Sequence, residues 1–143
     1  MNGKLWVVDT NVVVAGILAA DANSPPARIL EAILAGQLRF LLSVELLAEY
    51  RSVLLRQHIR ARHGLAPQAV DAILEALAVN AAVAEIAERT ETAPDPGDNH
   101  FWRLLAAKPG TGLITGDALL LDNPPLGARV LTPREFFAEE TGN

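Results

Sequence analysis

The chain has 143 residues, half of them hydrophobic but only 5% aromatic, with a formal charge of −5 and no cysteine. That length fits one domain, residues 1–143, around a single core built mainly from Ala, Leu, Val and Ile. The composition excludes disulfides and thiolate metal sites, so any metal must be held by oxygen or imidazole. It also excludes a large basic surface for nonspecific nucleic-acid binding, although carboxylates gathered around a divalent cation would themselves add to an acidic total.

Lys4 precedes an apolar stretch running to Ala20, the outline of a signal peptide, but Asp9 and Asn11 interrupt it at its centre. No uninterrupted apolar run approaches the roughly 20 residues of a membrane span. The sequence therefore reads as a soluble, cytoplasmic protein with no membrane partner.

Leu5 to Val8 is a continuous apolar run that stops on Asp9, Thr10 and Asn11. Such a run predicts a strand buried on both faces of a parallel sheet, with Asp9 at its carboxyl end, where open α/β sheets bind ligands. An ionised carboxylate there needs a partner, a hydrogen bond or a metal. Val12 to Leu18 reads as the start of a helix interrupted by Gly16. Ser24 followed by Pro25 gives an N-cap and a first-turn proline for a helix with Ile29, Leu30, Ile33 and Leu34 on one face, ended by Gly36.

Leu38 to Leu42 predicts a second strand, and Ser43 the cap of a helix that buries Leu46, Leu47, Tyr50, Val53 and Leu54. Glu49 borders that stripe and is in a position to point at Asp9. Arg51, Arg56, His58, Arg60, Arg62 and His63 form the one basic concentration in the chain, either a solvated helical face or a surface for phosphates or a protein. Pro67 opens a further helix with Val70, Ile73, Leu74 and Leu77 on one face, and Ala81 to Ala87 reads as a short strand or a continuation of that helix.

Asp95-Pro96-Gly97-Asp98 has strong turn chemistry, and Asp98 is placed to cap a helix containing Phe101, Trp102, Leu104 and Leu105. Leu113-Ile114-Thr115 predicts a strand running into Gly116-Asp117, the same arrangement of strand then acid as at Asp9. Ala128 to Leu131 reads as a last strand, and Thr132-Pro133-Arg134-Glu135 as a capping box opening a terminal helix. Strands alternating with helices at this spacing mean a parallel sheet of four to five strands flanked by helices, an α/β fold. All carboxyl ends then lie on one edge, and Asp9, Glu49, Asp98 and Asp117 converge there as oxygen ligands suited to magnesium or manganese.

Those pieces together resemble the PIN-domain family, which includes VapC-like toxins of toxin–antitoxin pairs. The matching stretches are Val7 to Val12, Glu49 to Leu54, Asp95 to Asn99, Ile114 to Asp117 with Leu119-Leu120, and Leu131 to Phe136. The resemblance implies a PIN-like three-layer fold and a magnesium- or manganese-dependent ribonuclease acting on single-stranded RNA. It implies Asp9, Glu49, Asp98 and Asp117 as metal-binding catalytic acids, with Asn11 and Thr115 as supporting polar residues. Asp95 ranks below Asp98, since its turn role is sufficient explanation. Homodimer assembly and an antitoxin protein as partner follow from the same resemblance. Arg51, Arg56 and Arg60 are candidates for contact with substrate or partner, and His100 for contact with substrate.

A second reading is a catalytically silent PIN-like module that binds RNA or protein, which missing acids would mark, and all four are present. A phosphotransfer domain on a similar sheet is a third. A haloacid-dehalogenase-type phosphatase wants a second aspartate where Asn11 stands, and a response-regulator receiver wants a lysine after a late strand, which is not found.

Overall fold

The computed structural model describes residues 4–84, 99–124 and 128–141. Strand β1 (Trp6–Val8) leads into helix α1 (Thr10–Leu18), then α2 (Pro25–Leu34), β2 (Phe40–Leu42) and α3 (Val44–Leu54). There follow α4 (Gln57–His63), α5 (Pro67–Val79), β3 (Ala81–Val83), α6 (Asn99–Ala107), β4 (Gly112–Ile114), α7 (Ala118–Asp122), β5 (Val130–Leu131) and α8 (Pro133–Thr141).

The strands form one sheet in the order β3-β2-β1-β4-β5, every neighbouring pair parallel. Val8 pairs with Ile114 and Leu42 with Val83, so the carboxyl ends finish level with one another. All three residues of β1, of β2 and of β4 are buried. Because successive side chains point to opposite faces, both faces of the central sheet are covered by helices. The chain winds outward from β1 to β3 on one side and returns to β4 and β5 on the other. The order therefore reverses between β1 and β4, which is where such sheets open a crevice.

Local chemistry explains most element boundaries. Ser24 and Ser43 cap α2 and α3 by accepting from Ala27 N and Leu46 N. Thr132 and Glu135 form the reciprocal capping box of α8, at 2.9 and 3.0 Å. Helix α1 begins two residues earlier than the Val12 start expected from sequence, because the Asp9 side chain is itself its N-cap.

Two close approaches require glycine. A Cβ on Gly16 would stand 2.7 Å from Leu30 Cδ1 and 2.8 Å from the Pro26 carbonyl, so Gly16 lets α1 lie against α2. A Cβ on Gly112 would meet the Trp6 ring at 2.4 Å, and Trp6 pairs with Gly112 across β1 and β4. Trp6 is a core residue, edge-on to Phe136 with ring centroids 5.3 Å apart. Among the described residues no helix is long and apolar enough to cross a membrane.

Candidate metal centre

Asp9 ends β1 at the sheet's reversal point. Its backbone N–H donates to Ile114 O at 2.9 Å, continuing the ladder to β4, while its carbonyl accepts from Val12 N and Val13 N at the start of α1. The strand fixes one side of the residue and the helix the other. Only 5% of Asp9 is exposed. Oδ1 accepts from the Asn11 backbone N–H at 3.4 Å, and Oδ2 accepts from Thr115 Oγ1 at 2.6 Å.

Burial pushes the Asp9 carboxyl above its ordinary value of 3.8. The bonds from Thr115 and Asn11 pull it back, and the negative charges of Glu49 and Asp117 push it up again. Among the described residues no cation pairs with it. A desolvated carboxylate faced by two more acids is an arrangement that a positive ligand would relieve.

Thr115 follows β4 and is fully buried. Its hydroxyl has one proton, spent on Asp9, and its oxygen accepts from Asp117 N at 3.0 Å. Asp117 caps α7 through Oδ1, which accepts from Leu119 N at 2.9 Å. The second strand-then-acid junction thus sits beside the first, as the sequence pattern anticipates, and Thr115 joins the two.

Glu49 comes to the same edge from α3. Thr10 Oγ1 donates to its Oε2, tying the first residue of α1 to α3. The next residue, Tyr50, is completely buried, stacks on Phe40 and donates its hydroxyl to Val8 O at 2.5 Å. Burial, with Asp9 and Glu49 nearby, holds the Tyr50 phenol well above its ordinary value, so it remains a donor. Thr10 and Tyr50 position Glu49 against the end of β1. In the sequence Tyr50 reads only as a buried residue of the α3 stripe, and Thr10 carries no role. The signal for Tyr50 was a lone tyrosine on an apolar stripe, whose hydroxyl had to find a partner.

Other expectations change. Asn11 supports Asp9 through its backbone N–H, and its side chain is exposed. Arg51 is paired with Asp71 of α5 at 2.7 Å, which holds its Nε in a contact between helices. Arg56 and Arg60 are exposed. His63, expected at the surface, is half-buried. Its Nδ1 accepts from Leu65 N at 2.8 Å, so Nε2 carries the proton and donates to Leu54 O at 2.9 Å, which locks the turn after α4 onto α3. Asp98, Asp95 and the side chains of His100, Phe101 and Trp102 lie outside the described residues.

Among the described residues no group of three His, Asp or Glu side chains is close enough to enclose an ion. The arrangement is instead an open set of carboxylates, with Glu49 and Asp117 near Asp9. Magnesium suits such a set, since it keeps several waters and takes one or two carboxylates together with substrate oxygens rather than a closed protein cage. The residues present therefore fit a hard divalent cation.

A family model described as PIN domain matches residues 6–119, from β1 into α7, a span that takes in Asp9, Glu49, Asp98 and Asp117. Among curated proteins, none matches the chain.

Proposed function

The chain belongs to the PIN-domain family, generally metal-dependent nucleases, and from that premise we propose that it is an endoribonuclease cutting single-stranded RNA with magnesium or manganese. Asp9, Glu49, Asp98 and Asp117 hold the cation in this reading. The observation that carries it is Asp9 itself, a buried carboxylate at the reversal point of the sheet, pressed by two further acids and paired with no described cation.

When bound, a divalent cation supplies positive charge for the phosphoryl oxygens and lowers the pKa of water, so no histidine base is required. Thr115 holds the Asp9 carboxylate in one orientation, and the backbone N–H of Asn11 holds its other oxygen. Thr10 does the same for Glu49, and Leu119 N for Asp117. Carboxylates fixed in this way need little reorganisation as charge builds on the phosphate. On their own they repel an RNA strand, so the strand has to be held by other residues.

The toxin role, an antitoxin protein as partner, homodimer assembly and a cytoplasmic location belong to the same reading. Their support is the resemblance of nearly the whole chain to the PIN-domain family, which includes VapC-like toxins.

The test is cleavage of labelled single-stranded RNAs of mixed sequence by purified protein with magnesium, manganese or chelator, beside Asp9→Asn and Asp117→Asn. Metal-dependent cutting that both substitutions abolish supports the reading. Cutting that survives chelator or either substitution overturns it, as does a folded wild-type protein that cuts nothing with either metal.

A further inference from the structure

We propose that the groove between α1 and α4 is the seat of the RNA strand beside the cut, with Arg62 as its phosphate-binding residue. This rests on the nuclease reading for its substrate and goes beyond the acids by naming where that substrate lies.

The groove is a depression of about 290 Å³ that begins at Asn11, two residues after Asp9. Asn11, Ala15 and Leu18 recur at helical spacing and so share one face of α1, and Ala19 lines the groove just past its end. That stripe follows about 10 Å of helix away from the acids. Ile59 and Arg62, one turn apart on α4, form the opposite wall. An apolar floor with an amide at one end and a guanidinium on one wall suits a nucleotide, which presents a flat apolar base and an anionic phosphate.

Charge favours the same occupant. The chain as a whole is acidic, yet α4 carries Arg60, Arg62, His58 and His63 and no acid. Arg51 is committed to Asp71 and Arg129 to Glu139. Arg62 is exposed and makes no ion pair with a described residue, so it is available to a phosphate. Arg60 lines a different hollow, with Leu55 and Gly64. The arginine that lines this groove is therefore Arg62, a member of the basic run but not one of the contact candidates Arg51, Arg56 and Arg60. Its place answers the difficulty the acids create, since a phosphodiester repelled by Asp9, Glu49 and Asp117 meets a cation of the chain's own in a groove that begins two residues from Asp9.

The experiment measures binding of a short fluorescent single-stranded RNA of mixed sequence in the Asp9→Asn background, where the RNA stays intact. Arg62→Ala and Ala15→Glu are compared with Arg134→Ala, an equal loss of charge on α8. All three positions are exposed in the folded chain, and circular dichroism checks each variant. The proposal expects Arg62→Ala to bind about tenfold more weakly, with the salt dependence reduced by about one phosphate contact. Ala15→Glu weakens binding similarly and Arg134→Ala does not. In the wild-type background, Arg62→Ala raises KM and leaves kcat within about twofold.

Unchanged RNA binding in both groove variants overturns the proposal, and if wild type still cuts RNA the nuclease reading stands without it. Weaker binding in the groove variants together with an inactive wild type leaves the RNA groove standing and removes the nuclease reading. Equal loss in Arg134→Ala reduces the effect to net charge and also overturns the proposal. So does a parent that binds no RNA, or one that binds a protein chain through this groove in place of RNA.

Discussion

Thr115 Oγ1 donates to Asp9 Oδ2 at 2.6 Å, joining residues 106 positions apart in sequence. The same oxygen accepts from Asp117 N, so an N–H, a hydroxyl and a carboxylate stand in line and polarise one another. Both strand ends on either side of the crevice are fixed by this one side chain.

Replacing Thr115 with Val keeps the shape and removes both bonds. Asp9 then loses its strongest donor, and Asp117 N its acceptor, at a cost of about 1–3 kcal/mol in stability. Under the metal-centre reading, cation affinity falls by roughly 10- to 100-fold, the usual effect of removing a group that orients a ligand. Thr115→Ser restores both. Denaturant melts and metal titrations on the pair check this, and a Ser variant that behaves like Val would contradict it.

The raised pKa of Asp9 sets the direction of a pH effect. Below 3.8 the carboxyl is protonated in both folded and unfolded chains and contributes no difference. As pH climbs from 3.8 through the folded value, the unfolded chain releases its proton first, so the metal-free protein loses stability across that window. We expect Asp9→Asn to be more stable than wild type near about pH 7 and the gap to close toward about pH 4. Urea melts across that range measure it. A variant less stable than wild type at neutral pH would show that Asp9 is not held against its desolvation cost.

Tyr50→Phe removes the donor to Val8 O and leaves a buried carbonyl short of a partner. The expected loss is about 1–3 kcal/mol by urea melt, with native secondary structure retained. Because Tyr50 seats α3 against β1, cation affinity should fall with it. An unchanged affinity would mean that Thr10 alone holds Glu49.

At Gly16 two effects oppose each other. Alanine gains about 1 kcal/mol of helix propensity over glycine. Its Cβ would stand 2.8 Å from the Pro26 carbonyl, a backbone atom that cannot swing aside, and overpacking costs about 1–3 kcal/mol. The clash wins, and Gly16→Ala should lower the melting temperature. A higher one would show that α2 can shift away.

The legible parts of this chain are those whose causes lie within a few residues. Ser24, Ser43 and the Thr132–Glu135 box announce their helices, and β-branched runs that stop on Asp9 and on Asp117 announce strand ends. Parallel topology then places those two acids on one edge without any contact being known. What sequence spacing does not carry is the pairing of side chains far apart. Thr10 reaches Glu49 over 39 positions, and Arg51 meets Asp71 over 20. Gly16 interrupts a helix pattern because of α2, and His63 turns inward because Leu54 and Leu65 both need a partner.

The most direct test of the metal centre is a calorimetric or spin-resonance titration of manganese into the purified full chain, beside Asp9→Asn and the groove variant Arg62→Ala. We expect wild type and Arg62→Ala to bind the ion alike, and Asp9→Asn to lose at least tenfold in affinity. Equal binding by wild type and Asp9→Asn would contradict a cation site built on this carboxylate.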